Sequence, residues 1–201
     1  MRLPRADHGS LPWRIHEITG DFRLEDVWAL PTPGGPGDFP RLLALMASFN
    51  PSDSGSAAVR ALFAIRSKVG ELLGWDGPDA GAGARAPTLR DRLPADLRET
   101  QAFPGSEDLP FSPLYLVENE CALEIVNRTV HGVVHLGWVP DQNGGYRGQM
   151  AVLVKPDGLL GTSYMAAITP FRHLIVYPAM MREIERKWRE SGRPSRSMSP
   201  R

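Results

Sequence analysis

Cysteine is nearly absent from the chain, which has only Cys121. A disulfide framework and a cysteine-based zinc site are thereby excluded, and a reducing compartment fits. Net charge is absent too, 23 Lys and Arg standing against 23 Asp and Glu. Global charge therefore gives no ground for a nucleic-acid partner, and none is expected. No apolar run approaches the roughly 18 residues of a membrane span. The opening MRLPRADHGS lacks the apolar stretch of a secretory leader. A cytoplasmic protein with no membrane span is the expectation. Cofactor and nucleophile signatures are missing as well. PTPGGPG (31–37) and AGAGA (80–84) fit neither phosphate-binding glycine pattern, and no nucleophile elbow of the form G-x-S-x-G occurs. No cofactor is expected.

What is present is enough apolar sequence for a core. Of 201 residues, 42% are hydrophobic and 23% charged, which suits one domain over 1–190. The polar, basic end SGRPSRSMSPR (191–201) is expected to be a disordered tail. Twenty glycines and 19 prolines predict long irregular segments.

The apolar pattern predicts a first strand within 13–30, split by Gly20-Asp21. Asp38 as N-cap and Pro40 in the first turn open a helix through Phe49. A second helix is expected over 56–75, where Ala58, Leu62, Ile65, Val69 and Leu72 form one stripe. Thr88 to Arg98 suggests a short helix interrupted at Pro94. The second half is rich in Val, Ile, Leu and Thr, which favours strands over 114–118 and 121–139. Asp141-Gln142-Asn143-Gly144-Gly145 predicts a hairpin pairing 128–139 with 146–155. A further strand is expected near 160–168. Phe171, Leu174, Ile175, Met181, Ile184 and Trp188 then predict a helix from Thr169 to about 190, kinked at Pro178. Strands in a block followed by a helix predict an α+β fold, an antiparallel sheet with a long C-terminal helix across one face.

His131 and His135 stand out in NRTVHGVVHLGW. On a helix they would make a metal pair. Their β-branched neighbours place them on a strand, where four residues span roughly 13 Å, so no metal is expected. Val130, Gly132, Val134, Leu136 and Trp138 form an apolar face, expected against the C-terminal helix. The histidines share the other face. Antiparallel sheets commonly have one wet face, so the expectation is that the histidines meet solvent or the inserted helices. The alternative makes them the polar wall of a pocket, with Gln149 of the partner strand nearby. Glu118, Glu120 and Glu124 suggest acid–base chemistry, but glutamates on a sheet are usually solvated. Cys121 fits a small core residue better than a nucleophile.

The stretches FRLEDVWALPTPGG (22–35), NRTVHGVVHLGW (127–138) and GGYRGQMAVLVKPDGLLGTSYMAAITPFRHLIVYPAMM (144–181) resemble the bacterial Domain of Unknown Function 2867 family. The closing pattern, a strand running into Pro-Phe-Arg-His-Leu-Ile and a helix, is also similar to the START and pollen-allergen superfamily. That resemblance implies a START-like helix-grip, a sheet wrapped around a long C-terminal helix with an apolar cavity between. Residues 38–100 would then be an enlarged helical insertion after the first strand. No catalytic residues and no NAD(P) role carry over from the family.

These features together suggest a soluble binding protein for an apolar or amphipathic small molecule held between sheet and helix. The candidate polar contacts are His131, His135, Gln149 and Tyr164, with Trp28 and Trp138 as walls. The alternative is an enzyme in the same cavity, a cyclase, isomerase or dehydratase of a secondary metabolite, with a histidine moving a proton. A third reading is an interaction module using its exposed sheet. The oligomeric state stays open, a homo-oligomer included.

Overall fold

A computed structural model of the protein describes residues 1–48, 87–100, 111–126, 130–156 and 169–192. The helix expected over 56–75, the strand expected near 160–168 with Tyr164, and most of the C-terminal tail lie outside the described residues. Among those described, five strands form one antiparallel sheet. They are β1 (Arg23–Ala29), β2 (Ser112–Leu116), β3 (Glu120–Val126), β4 (Val130–Pro140) and β5 (Tyr146–Pro156), in the spatial order β1-β5-β4-β3-β2. With the helices α1 (Ala6–Gly9), α2 (Phe39–Ala47), α3 (Ala95–Arg98) and α4 (Tyr177–Ser191), the fold is α+β.

The β4–β5 hairpin forms where its turn chemistry dictates. Asp141 Oδ1 accepts from the amides of Asn143 at 2.7 Å and Gly145 at 3.1 Å. Gly144 takes φ +82°, which favours glycine. Pro140 then faces Tyr146, and the register runs unbroken from that pair to Val130 opposite Pro156. Pro113 is tolerated because β2 is the end strand among those described, and the β2–β3 register shifts just after it. Within 13–30, only 23–29 is strand; Arg14–Glu17 is a 3₁₀ turn. Thr88 caps a second 3₁₀ turn, Leu89–Arg92, accepting from the Arg90 amide, and α3 follows Pro94. Asp38 precedes α2 as expected, but its carboxylate accepts from the Gly35 amide at 2.8 Å instead of capping the helix.

Both faces of the sheet are covered. On one, Trp28, Leu123, Leu136, Trp138 and Met150 pack against Leu42 and Leu45 of α2 and Tyr177, Ile184 and Trp188 of α4. On the other, Val27, Ala122, Val133, Ala151 and Leu153 pack against Trp13, Ile15 and Ile18 of the N-terminal segment and Leu89, Leu93 and Leu97. Each such buried aliphatic side chain stabilises by roughly 1.5–3 kcal/mol. Gly137 marks the closest approach of the second cover: a Cβ there would stand 2.6 Å from the Trp13 ring. The expectation of a wet histidine face is therefore overturned where solvent is concerned. His135 is 0% exposed and His131 is buried. The cover comes from residues far away in sequence, which strand periodicity does not show.

The C-terminal helix starts at Thr169 as expected, with 169–171 helical. It then departs from a regular α-helix: Arg172–Val176 form a π turn, and α-helix resumes at Tyr177 with Pro178 in its first turn. Pro178 has no N–H to donate to the preceding turn. The π turn holds one extra residue, which rotates everything before it by about 100°. Phe171 and Leu174 consequently leave the apolar stripe and are 52% and 77% exposed. The stripe that packs on the sheet is Tyr177, Ile184 and Trp188.

Candidate functional site

Two polar clusters are built on the sheet, one on each face. The first lies beneath the start of the C-terminal helix. Its centre is Asp26, and a β-bulge puts it there. Leu24 pairs with Leu153 and Asp26 with Val152, so Glu25 is the extra residue. Without the bulge, Leu24 and Asp26 would share a face. With it, Leu24 packs on the N-terminal cover, while Asp26 turns under the helix beside Trp28.

Asp26 is 1% exposed and is surrounded by cations and donors. Arg172 Nη2 donates to Oδ2 at 2.5 Å and the Tyr177 hydroxyl at 3.0 Å. His173 Nε2 lies 3.0 Å from Oδ1 and Arg2 Nη2 lies 3.5 Å from it. Neither contact is an aligned hydrogen bond, so Oδ1 has no hydrogen-bond partner. Two buried donors of the same residue group, Trp28 Nε1 and Arg172 Nε, also make no hydrogen bond. The Trp28 ring packs against Tyr177 with centroids 4.7 Å apart and against His173 at 6.2 Å. Burial pushes the Tyr177 hydroxyl well above its ordinary pKa; Arg172 opposes this and the Asp26 carboxylate adds to it, so the phenol stays protonated. The exposed Phe171 and Leu174 flank the polar pair Arg172-His173 on the π turn.

The second cluster lies on the opposite face and repeats a motif twice along β3 and β4. Glu120 accepts from His135 Nε2 at 2.7 Å, the Tyr115 hydroxyl at 3.0 Å and the Arg14 amide at 2.8 Å. Glu124 pairs with His131 Nε2 at 2.6 Å and accepts from the Thr88 hydroxyl at 2.6 Å and the Leu89 amide at 2.8 Å. Each glutamate thus holds one histidine, one hydroxyl and the first amide of a 3₁₀ turn in a covering segment. The antiparallel register makes each histidine the diagonal neighbour of its glutamate, since His135 faces Ala122 and His131 faces Val126. The expectation of solvated Glu120 and Glu124 is overturned: both are buried, because the covers bring donors to them.

The first rung extends towards the surface. His8 Nε2 lies 3.1 Å from His135 Nδ1, and His16 Nε2 lies 3.3 Å from His8 Nδ1. With Glu120 ionised, the network assigns every imidazole the same tautomer, Nε2–H donating inward and Nδ1 accepting. Burial pushes the His8 pKa down to about 3, helped by its neighbours His135 and His16. Burial also lowers that of His135, outweighing Glu120. For Glu120, burial acts upward, but the bonds from His135, the Arg14 amide and Tyr115 bring its pKa below the usual carboxylate range. For Glu124 too, burial acts upward and is outweighed by the bonds from His131, Thr88 and the Leu89 amide, so its pKa also falls. Both glutamates are therefore carboxylates at neutral pH, and His8 and His135 are neutral. The imidazoles stand in file and do not converge on one point. Among the described residues no group of three His, Cys, Asp or Glu could hold a metal ion.

The residues expected to line one cavity are thus divided by the sheet. Trp28 belongs to the Asp26 cluster. His131 and His135 belong to the opposite face, and so does Gln149, whose Cα faces Gly137 and whose Oε1 is buried without a partner. Trp138 is on the helix face as a core residue, its Nε1 donating to Gly35 O at 2.9 Å, its ring between Phe39 and Trp188. Tyr164 is outside the described residues. The sequence reading missed Arg172, His173, Tyr177, His8 and His16. The i, i+2 placement of Asp26 and Trp28 and the Arg172-His173 pair were the available signals for the first cluster. Cys121 is buried, as expected of a core residue. No helix among the described residues is long and apolar enough to cross a membrane.

No curated protein and no solved structure matches the chain. A family described as "Protein of unknown function (DUF2867)" matches residues 18–179, a span that includes Asp26, Arg172 and both glutamate–histidine rungs. The chain therefore belongs to the DUF2867 family.

Proposed function

We propose that the protein binds an amphipathic small molecule at the seam between β1 and the start of the C-terminal helix. The observation that carries this reading is a cluster whose buried polar atoms lack hydrogen bonds: the donors Trp28 Nε1 and Arg172 Nε, and Asp26 Oδ1, which has only ion-pair contacts with His173 and Arg2. Each orphaned group costs about 1–3 kcal/mol, a cost that a bound molecule offsets. Two are donors and one is an acceptor. They complement a head group that accepts two hydrogen bonds and donates one, such as a carboxylic acid or primary amide. The exposed Phe171 and Leu174 offer the apolar end of the ligand a surface beside that head group. Arg172 sits on a π turn, a local form frequent at functional sites. The START-like resemblance agrees, since its cavity lies between sheet and C-terminal helix. The lone buried Cys121 suits a cytoplasmic location.

An enzyme acting at the same place is the second reading. The observation favouring it is His173 Nε2 lying 3.0 Å from Asp26 Oδ1, a placement from which an imidazole could move a proton. This transfers the acid–base role away from His131 and His135, which face the other side.

A thermal-shift screen of medium-chain carboxylic acids and amides tests the binding reading. A ligand at one hundred times its Kd stabilises by about 2.7 kcal/mol, raising Tm on the order of 5–10 °C for a chain of this size. The double variant Trp28→Phe/Arg172→Gln should lose that rise. A rise of equal size in the double variant would place the ligand elsewhere.

A further inference from the structure

The file His16–His8–His135–Glu120 joins the surface to the carboxylate that fastens the N-terminal cover. His16 is exposed, and His8, His135 and Glu120 are buried. Glu120 Oε1 accepts the Arg14 amide, and Oε2 accepts from His135 and Tyr115. The Glu124–His131 rung has the same form, with the Phe22 ring edge-on to His131 at 4.9 Å where the first rung has His8. The two covers are therefore fastened alike, but one fastening is addressed by a chain of imidazoles.

We propose that the N-terminal segment, residues 1–19, is an acid-released cover: opening frees the buried His8 to take a proton, so acid favours the form in which the Arg14 amide has left Glu120. In the closed form His8 Nδ1 accepts from His16 and His8 Nε2 donates to His135. An imidazolium donates from both nitrogens, so a proton added at His8 sets two donors face to face at the contact with His16. Among the described residues no carboxylate hydrogen-bonds to His8 to compensate it. The nearby Arg14 guanidinium is held by Glu17 at 2.5 Å and Asp96 at 2.7 Å. The Tyr115 hydroxyl already donates to Glu120. On β5 the residue opposite His135 is Ala151, with Gln149 and Leu153 beyond, and β1 contributes Val27 and Ala29. Asp7, next to His8 in the chain, acts electrostatically on Arg147, whose charge is opposite.

In the released segment His8 titrates at its ordinary value near 6.5. Linkage then favours the open form roughly 30-fold at pH 5 relative to pH 7.5 for His8 alone. Amide exchange followed by NMR, corrected for intrinsic rates, reads this directly at two matched amides. The Arg14 amide, bonded to Glu120, should lose protection about 30-fold or more. The Leu89 amide, bonded to Glu124, and the β4 amides should change severalfold less. His8→Gln, which takes no proton, should largely abolish the loss at Arg14. His16→Gln, at an exposed position, should retain it. Protection at Arg14 that persists at pH 5, or falls in step with the β4 amides, would overturn the proposal. So would a loss that survives His8→Gln. If His8→Gln does not fold, disappearance of the acid response in His16→Gln would overturn it, and its survival would support it.

Discussion

Glu120→Ala is expected to cost about 3–5 kcal/mol, since each buried donor left without its acceptor costs about 1–3 kcal/mol. The substitution strips the hydrogen-bond acceptor from His135, the Tyr115 hydroxyl and the Arg14 amide together. Tyr115 and His135 have no water to turn to, being 2% and 0% exposed. Urea unfolding should show a large fall in midpoint with little change in slope. A cost under about 1 kcal/mol would mean that the rung does not hold the cover. The pH dependence follows with a definite sign. Glu120 and Glu124 have folded pKa values below their unfolded ones. Their stabilisation is full above the unfolded value and is lost as pH falls through the folded one. His8 and His135 are also depressed, so the unfolded chain binds their protons first as pH drops below about 6.5. Both effects act the same way: stability declines from about pH 6.5 downward, the histidines acting first and the carboxylates below about 4.5.

On the other face, Trp188→Ala should cost about 3–5 kcal/mol. Trp188 is buried against Trp138, its Nε1 donates to Pro33 O at 3.0 Å, and the Arg41 guanidinium stacks 3.8 Å from its ring. Arg41 also donates to the Trp188 carbonyl and to Ser191 Oγ, tying α2 to α4. Leu174→Ala, by contrast, should lie within about 0.5 kcal/mol of the parent protein, because Leu174 stands in solvent on the π turn. Chemical denaturation of the two variants in parallel decides this. A Leu174 cost near that of Trp188 would contradict the π turn.

That contrast shows what kind of information the sequence holds. Periodicity correctly gathers Ile184 and Trp188 on one stripe, and the two-residue period correctly separates Val134, Leu136 and Trp138 from His131, Val133 and His135. The Asp141–Gly145 turn sets the β4–β5 register through local hydrogen bonds. Features that break a period are hidden from it. The extra residue of the π turn displaces Leu174, and the bulge at Glu25 sends Asp26 to the helix face. Long-range partners are equally hidden. His8 lies 127 residues from His135, and Arg14 lies 106 from Glu120. Nothing in the pattern of β3 or β4 tells which segment covers its polar side chains. The candidate site was legible only through Trp28; the histidines that looked most like chemistry fasten a cover.

The binding reading rests on the Asp26 cluster, and native mass spectrometry of the protein purified from its host tests it most directly. The account predicts a small molecule retained by the parent chain and lost from the Trp28→Phe/Arg172→Gln variant, with circular dichroism unchanged. Retention of the same molecule by both proteins, or its absence from the parent chain, would contradict it.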